Sequence, residues 1–390
     1  MNFKRFICLI LTLCSLHPFI SQAQKVIINK EITLPKDSAT RTLLLNSLNE
    51  FLNQREDPNK FNDYVLPEDR PQTAALLDEL KGLETDSELK DKNFYKTYLI
   101  NITPTQNDNY KIQLAYSGIA GDRVVLRAIV NLISTNRAGR YYFASPLKQN
   151  TKNWLKWQYD NVTFFYQDTL DTGLAKTYSR TLKFYDKKLT VPPCSTSFYY
   201  CDNFNTVLLI TGIDYKSDYN SMVSNRLSAH EGAQDIIITG QTNLKSNFDL
   251  HDLFHERIRR VISPDLINRP VDEGCAYLYG GSWGLSWPEV FAKFKEYAAL
   301  NPNADWLSLY MAGTNFVPGP KILKVSYAIN ALIVQHLEKD KGFDTVKQLL
   351  SCGKKEPGEN NYFAVLQRLT GINKTDFNVA VNKLIITNKL

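Results

Sequence analysis

The segment Asp249–Arg260, DLHDLFHERIRR, restricts what this chain can be more than any other stretch. Asp249 is suited to cap a helix and Ser263-Pro264 to end one, so the spacing predicts a helix from Leu250 to about Ile262. His251 and His255 then lie one turn apart and project from the same face. Three readings fit such a segment: a metal-binding helix, a damaged copy of one, or an ordinary amphipathic helix that carries two histidines.

Two imidazoles at i and i+4 can grip one metal ion at about 2.0–2.1 Å each. Asp252 follows the first histidine and lies beside the ion, where a carboxylate can take a proton from an activated water. This is the logic of the H-E-x-x-H helix, written here H-D-x-x-H. Two other registers fail. The one starting at His255 has Glu256 but puts Arg259 at the second ligand position, and a guanidinium cannot ligate a metal. The one starting at His230 puts Gln234 there, with Gly232 weakening any helix.

A zinc site needs a third protein ligand. Downstream lies NRPVDEGCAYLYGGSWGLSW, in which Pro270 suits a first helical turn and Gly280-Gly281 a helix end. Glu273 sits inside that helix, 18 positions after His255. The distance leaves room to finish one helix, turn, and bring a second antiparallel beside it.

With HDLFH followed by RPVDEGCAYLYGGS, the chain resembles the gluzincin, peptidase MA-like zinc metallopeptidases, in particular secreted bacterial members. Their pattern is H-E-x-x-H, a Pro-containing turn, then an E-G-x-A-x-Y helix. The resemblance implies His251, His255 and Glu273 as ligands of Zn2+, and Asp252 at the general-base position. Gly274, Ala276 and Tyr277 fit the rest of the second motif. It also implies a phenol that stabilises the oxyanion, for which Tyr327 is the candidate beside its plainer reading as a packed helix aromatic. The resemblance covers roughly Asn161 to the C-terminus. The departure is Asp252, whose carboxylate is drawn back by about one bond length relative to glutamate; misplacement of that order can cost about a hundredfold in rate.

The rest of the chain frames this motif. MNFKR, the apolar FICLILTLC and the small residues of SQAQ read as a signal peptide over 1–23, cut near Ala23, which implies a secreted protein, periplasmic or extracellular. No later run is long and apolar enough to span a bilayer. The formal charge of +6 falls to about +4 when Lys4 and Arg5 leave with the leader, too mild and scattered for a nucleic-acid partner. Cys194 and Cys201 could close a small loop or remain free thiols.

The expected fold class is α+β. Residues 24–150 read as an accessory domain: two helices, TRTLLLNSLNEFLNQ and TAALLDELKGL, then an antiparallel sheet with a loose likeness to cystatin-like or NTF2-like modules. Residues 151–390 read as a zincin-like domain, sheet-rich over 160–248 and helical over 249–390. In it LKQNTKNWLKWQYD is a polar connection, NTVLLITGIDY a strand, and RIRR a solvated helix end. QDIIITG or NTVLLITG would supply an edge strand that holds an extended peptide. Trp283 and Trp287 are candidates for the cleft wall or for helix packing. The function expected is a secreted metallopeptidase acting on a peptide or protein. The competing expectations are a pseudopeptidase that binds a peptide, glycan or protein, and a structural envelope protein with a vestigial site.

Overall fold

The structure, a computed structural model, describes residues 26–55, 61–241 and 246–388, so the expected signal peptide lies outside the described residues. The chain divides into two compact units. The first takes the chain to residue 69, 77–145 and 212–218; the second takes 70–76, 146–211 and 219–390.

In the first unit helix α1 (Ser38–Asn53) is capped by Asp37, whose carboxylate accepts from Thr40 N. Leu44, Leu48, Phe51 and Leu52 form its buried stripe. Helix α2 (Arg70–Leu80) begins with residues of the second unit and ends with residues of the first. Strands β1 (Ile27–Ile28), β2 (Lys96–Pro104), β3 (Tyr110–Ala120), β4 (Arg123–Arg137) and β5 (Arg140–Ala144) form a sheet in chain order, antiparallel except for β1 on β2. Along β4 the buried residues Ala128, Val130, Leu132 and Ser134 alternate with less buried ones, the period-2 mark of one covered face. Phe51 of α1 packs on Phe143 of β5.

The second unit opens with a short helix α3 (Leu147–Asn150) and a hairpin of β6 (Leu155–Tyr159) and β7 (Val162–Tyr166). The segment expected to be a connection therefore carries the edge strand β6. Its alternate exposed residues suit a sheet margin. Helix α4 (Thr172–Leu189), capped by Asp171, crosses over to β8 (Ser195–Tyr200), parallel to β7. After β8 comes helix α5 (Phe204–Thr211), not the strand expected from its apolar run. Asn203 caps this turn through Thr206 N, and Phe204, Val207, Leu208 and Thr211 are buried at helical spacing while Asn205 and Leu209 are exposed, in place of the alternation of a half-exposed strand. Strand β9 (Ile213–Lys216) pairs with β4 and belongs to the first unit. Strands β10 (Asn225–Glu231) and β11 (Gln234–Gly240) form a second hairpin, giving the order β10-β11-β8-β7-β6. QDIIITG is thus an inner strand, buried on both faces, and NTVLLITG is mostly helix. The edge beside β11 is β10.

From Leu250 on the chain is helical: α6 (Leu250–Ile258), α7 (Arg269–Gly280), α8 (Trp287–Leu300), α9 (Trp306–Ala312), α10 (Val325–Lys341), α11 (Phe343–Leu350), α12 (Asn360–Thr370) and α13 (Phe377–Thr387). The protein is an α+β fold with a helical C-terminal part. Among the described residues no helix is long and apolar enough to cross a membrane. Helix α10 is apolar on nearly every side and is the axis of the bundle. Helix α7 lies directly on it because residue 274 is glycine: a Cβ there would stand 2.6 Å from Asn330 Cβ and 2.8 Å from Ala331 N. Tyr178 of α4 packs on Phe198 of β8, and Phe254 of α6 packs on Tyr185 of α4.

Helix α6 stops at Ile258, one turn short of the expected end, and its RIRR tail is only partly solvated: Arg259 is exposed, whereas Arg257 is not. Arg257 is 1% exposed. Its guanidinium donates to Asp186 of α4 at 2.6 Å, to Asp235 of β11 and to Cys194 Sγ at 3.1 Å, while Arg260 approaches Asp235 at 3.4 Å. A buried ion pair that loses one partner leaves an uncompensated charge and costs about 3–5 kcal/mol. Arg257→Met should lower stability by that amount, read as a reduced urea midpoint, and Asp186→Asn/Asp235→Asn in the same background should recover part of the loss.

Candidate metal centre

Two short helices build the site. Asp249 caps α6, its carboxylate accepting from His251 N at 2.9 Å and Asp252 N at 3.3 Å. Helix α7 starts with Pro270 in its first turn and lies beside α6 so closely that a Cβ at Gly280 would meet His251 N at 2.5 Å and its Cα at 2.6 Å. That approach brings Glu273 to the face of α6 that carries both histidines.

His251, His255 and Glu273 form one cluster, the group among the described residues suited to hold a metal ion. His251 Nε2 lies 3.2 Å from His255 Nε2 and 3.4 Å from Glu273 Oε2; His255 Nε2 lies 3.9 Å from the same oxygen. Ligands about 2.0–2.1 Å from a tetrahedral ion stand about 3.3–3.4 Å apart, so two edges match and the third is slightly long.

The far side of each ring strengthens the fit. His251 Nδ1 lies 2.7 Å from the Gly281 carbonyl oxygen. A carbonyl only accepts, so Nδ1 carries the proton and Nε2 offers a lone pair to the cluster. His255 Nδ1 lies 2.9 Å from Asp272 Oδ1, an ion-pair contact without hydrogen-bond alignment. With the proton on that nitrogen, Nε2 of His255 also offers a lone pair to the cluster. Glu273 is steadied in turn by Arg269, whose Nη2 donates to Oε1 at 2.7 Å. Two lone pairs and a carboxylate oxygen therefore face one point, an arrangement that needs a cation or a shared proton.

The charge balance reflects this. Burial pushes the His251 pKa down, but the Glu273 carboxylate and the Gly281 carbonyl outweigh it and hold it above the ordinary 6.5. Burial pushes Glu273 up, yet the two histidines hold it below 4.5.

The cluster opens into a cavity of about 460 Å³ whose lining includes Asp252, Trp283 and Tyr327. Asp252 Oδ2 lies 3.5 Å from Gln241 Nε2 and 3.9 Å from Arg226 Nη1 of β10. The Tyr327 ring stands 5.6 Å from that of Tyr277, which itself packs on His251 at 5.8 Å. Every expected site residue thus borders one cavity. Trp283 is on the cleft wall, donating from Nε1 to Ile322 O, whereas Trp287 is buried and stacks on Phe291. Glu256, from the rejected register, points away and pairs with Arg226 at 2.7 Å. His230 and His336 are exposed and distant in the fold, on β10 and α10. The four described cysteines are free thiols, so Cys194 and Cys201 form no loop-closing bond.

Asp272, Arg269 and Arg226 escaped the sequence reading. Asp272 and Arg269 stand one and four residues before Glu273, within sight of the motif; Arg226 comes from a strand and carries no local signal.

No family model matches the chain, and no curated protein matches it at a significant level.

Two measurements follow from the geometry. Asp272→Ala removes the acceptor behind His255 and should weaken zinc affinity about 10–100-fold, read by chelator competition, with the fold retained. In the metal-free chain, stability from His251 is full below pH 6.5 and is lost as pH rises through its higher folded value. Stability from Glu273 is present above pH 4.5 and is lost as pH falls through its lower one. Urea midpoints should therefore peak in the mildly acidic range without metal. Zinc, taking the place of the proton, should extend the plateau above pH 7. A flat profile in both states would contradict the shared-proton cluster.

Proposed function

We propose that the chain is a secreted zinc-dependent metallopeptidase of gluzincin type, acting on peptides or proteins. The observation that carries this reading is the convergence of His251 Nε2, His255 Nε2 and Glu273 Oε2 on one point, each oriented from behind, at the wall of a cavity that Asp252 also lines. These three residues would hold the ion. Bound zinc supplies Lewis acidity toward a scissile carbonyl and toward water. Asp252 accepts a proton from the attacking water and returns it to the leaving amine as the C–N bond breaks. Tyr327 offers a phenolic hydrogen bond to the carbonyl oxygen as negative charge grows there. Strand β10, the sheet margin that carries Arg226, is the edge available for backbone pairing with an extended substrate.

The position of Asp252 favours a second reading. Its carboxylate is short and its oxygen is drawn toward Gln241 and Arg226 of the sheet. A chain that binds zinc and a peptide, glycan or protein without turning it over has the same ligand cluster.

Metal content and Asp252 variants separate the two. The mature protein, purified without chelator, should carry about one zinc per chain, lost in His251→Ala/His255→Ala. Asp252→Asn should keep the metal and lower peptide hydrolysis at least about 100-fold. Asp252→Glu should raise turnover if reach alone limits the base. No zinc uptake after zinc is offered would remove the peptidase reading; full uptake with no hydrolysis in the native chain or in Asp252→Glu would leave the binding one.

A further inference from the structure

The cavity beside the cluster holds more basic groups than its own acids use. Four acids line it, and each is engaged. Asp249 caps α6, Asp252 faces Gln241 and Arg226, Asp272 stands behind His255, and Glu273 joins the cluster with Arg269 on its other oxygen. Arg259 and Lys324 line the same cavity, and among the described residues neither has a carboxylate partner.

Their placement is not incidental to the site. Arg259 follows His255 by four residues and keeps helical backbone angles (φ −65°, ψ −14°), so it continues the stripe of His251 and His255 on α6. Lys324 is the residue before α10. Its Nζ stands 5.3 Å over the Tyr327 ring, and its N–H faces Tyr277 OH at 3.3 Å. Residues 251, 255 and 259 thus follow one another turn by turn along α6 toward the same cavity, and a second cation stands beside the candidate phenol.

We propose that Arg259 and Lys324 hold a carboxylate of the substrate beside the scissile bond. The inference rests on the peptidase reading and names its substrate class: peptides with either an acidic side chain or a free C-terminal carboxylate at that position. Both sources present the same group, and a guanidinium and an ammonium each make charge-assisted hydrogen bonds to it.

Three peptides of one sequence test this. The first carries a central Glu and an amidated C-terminus, the second Gln in its place and the same amide, and the third that Gln with a free C-terminus. Calorimetry with the metal-free chain reads binding, and mass spectrometry with the zinc-loaded chain reads cleavage. One carboxylate peptide should bind about 10–100-fold tighter than the neutral one, the range expected of a charged hydrogen bond. Which one does so distinguishes an internal acid from a chain end. Arg259→Gln and Lys324→Gln should each reduce that preference, while the charge-preserving Arg259→Lys should retain most of it. Equal binding of all three peptides, binding of none, or a preference that survives both substitutions overturns the inference. Carboxylate preference with no cleavage by the native chain or by Asp252→Glu keeps the carboxylate site and sinks the peptidase reading; cleavage without preference overturns the inference and keeps that reading.

Discussion

A single buried guanidinium fixes the helix on which the site is built. Helix α6 has nine residues, far fewer than a helix needs to persist alone in water. Its position is set from outside, by Arg257 reaching Asp235 on β11 and Asp186 on α4. These bonds come from two different elements and leave the guanidinium little freedom of orientation. The helix is thereby tied both to an inner strand and to the crossover helix that covers the sheet. Its opposite side then presents His251, His255 and Arg259.

The second constraint is the contact of α6 with α7. Gly280 lets the end of α7 touch the backbone at His251, and Gly274 lets its middle rest on α10. One helix so placed supplies three things at once. Glu273 completes the cluster with the two histidines, Asp272 stands behind His255, and the Gly281 carbonyl at its C-terminus stands behind His251. Both rings are turned by acceptors from the same element that brings the carboxylate. The geometry of the cluster is thus decided by one helix pair, not by many independent contacts.

That economy explains what was legible in the sequence. The cluster residues announce themselves because helical periodicity is local: His251 and His255 are four apart, and a Pro-to-Gly frame brackets Glu273. The α+β order and the strands β2 to β5 were readable for the same reason, through alternation and turn chemistry. Helix and strand were confused where periodicity is silent, as in the apolar run Phe204–Thr211 that forms α5 and not a strand. Arg257 looked like a solvated charge because its partners, Asp186 and Asp235, are 71 and 22 residues away. Strand β10 was hidden behind a polar stretch, NRLSAHE, whose pairing with β11 no local rule foretells. Long-range partners, not residue types, were what the sequence withheld.

Asp252 is where these constraints compete. Arg226 of β10 stands between two carboxylates, 2.7 Å from Glu256 and 3.9 Å from Asp252. The Glu256 side chain is mostly covered, and Arg226, 2.7 Å away, offsets part of the cost of its charge. Asp252 stands farther from the same guanidinium and also meets Gln241 Nε2 at 3.5 Å. A glutamate in its place would carry one more methylene and reach about one bond length further from the same backbone position. Where the carboxylate of residue 252 rests is therefore set in part by Gln241 and Arg226, contacts outside the cluster of His251, His255 and Glu273.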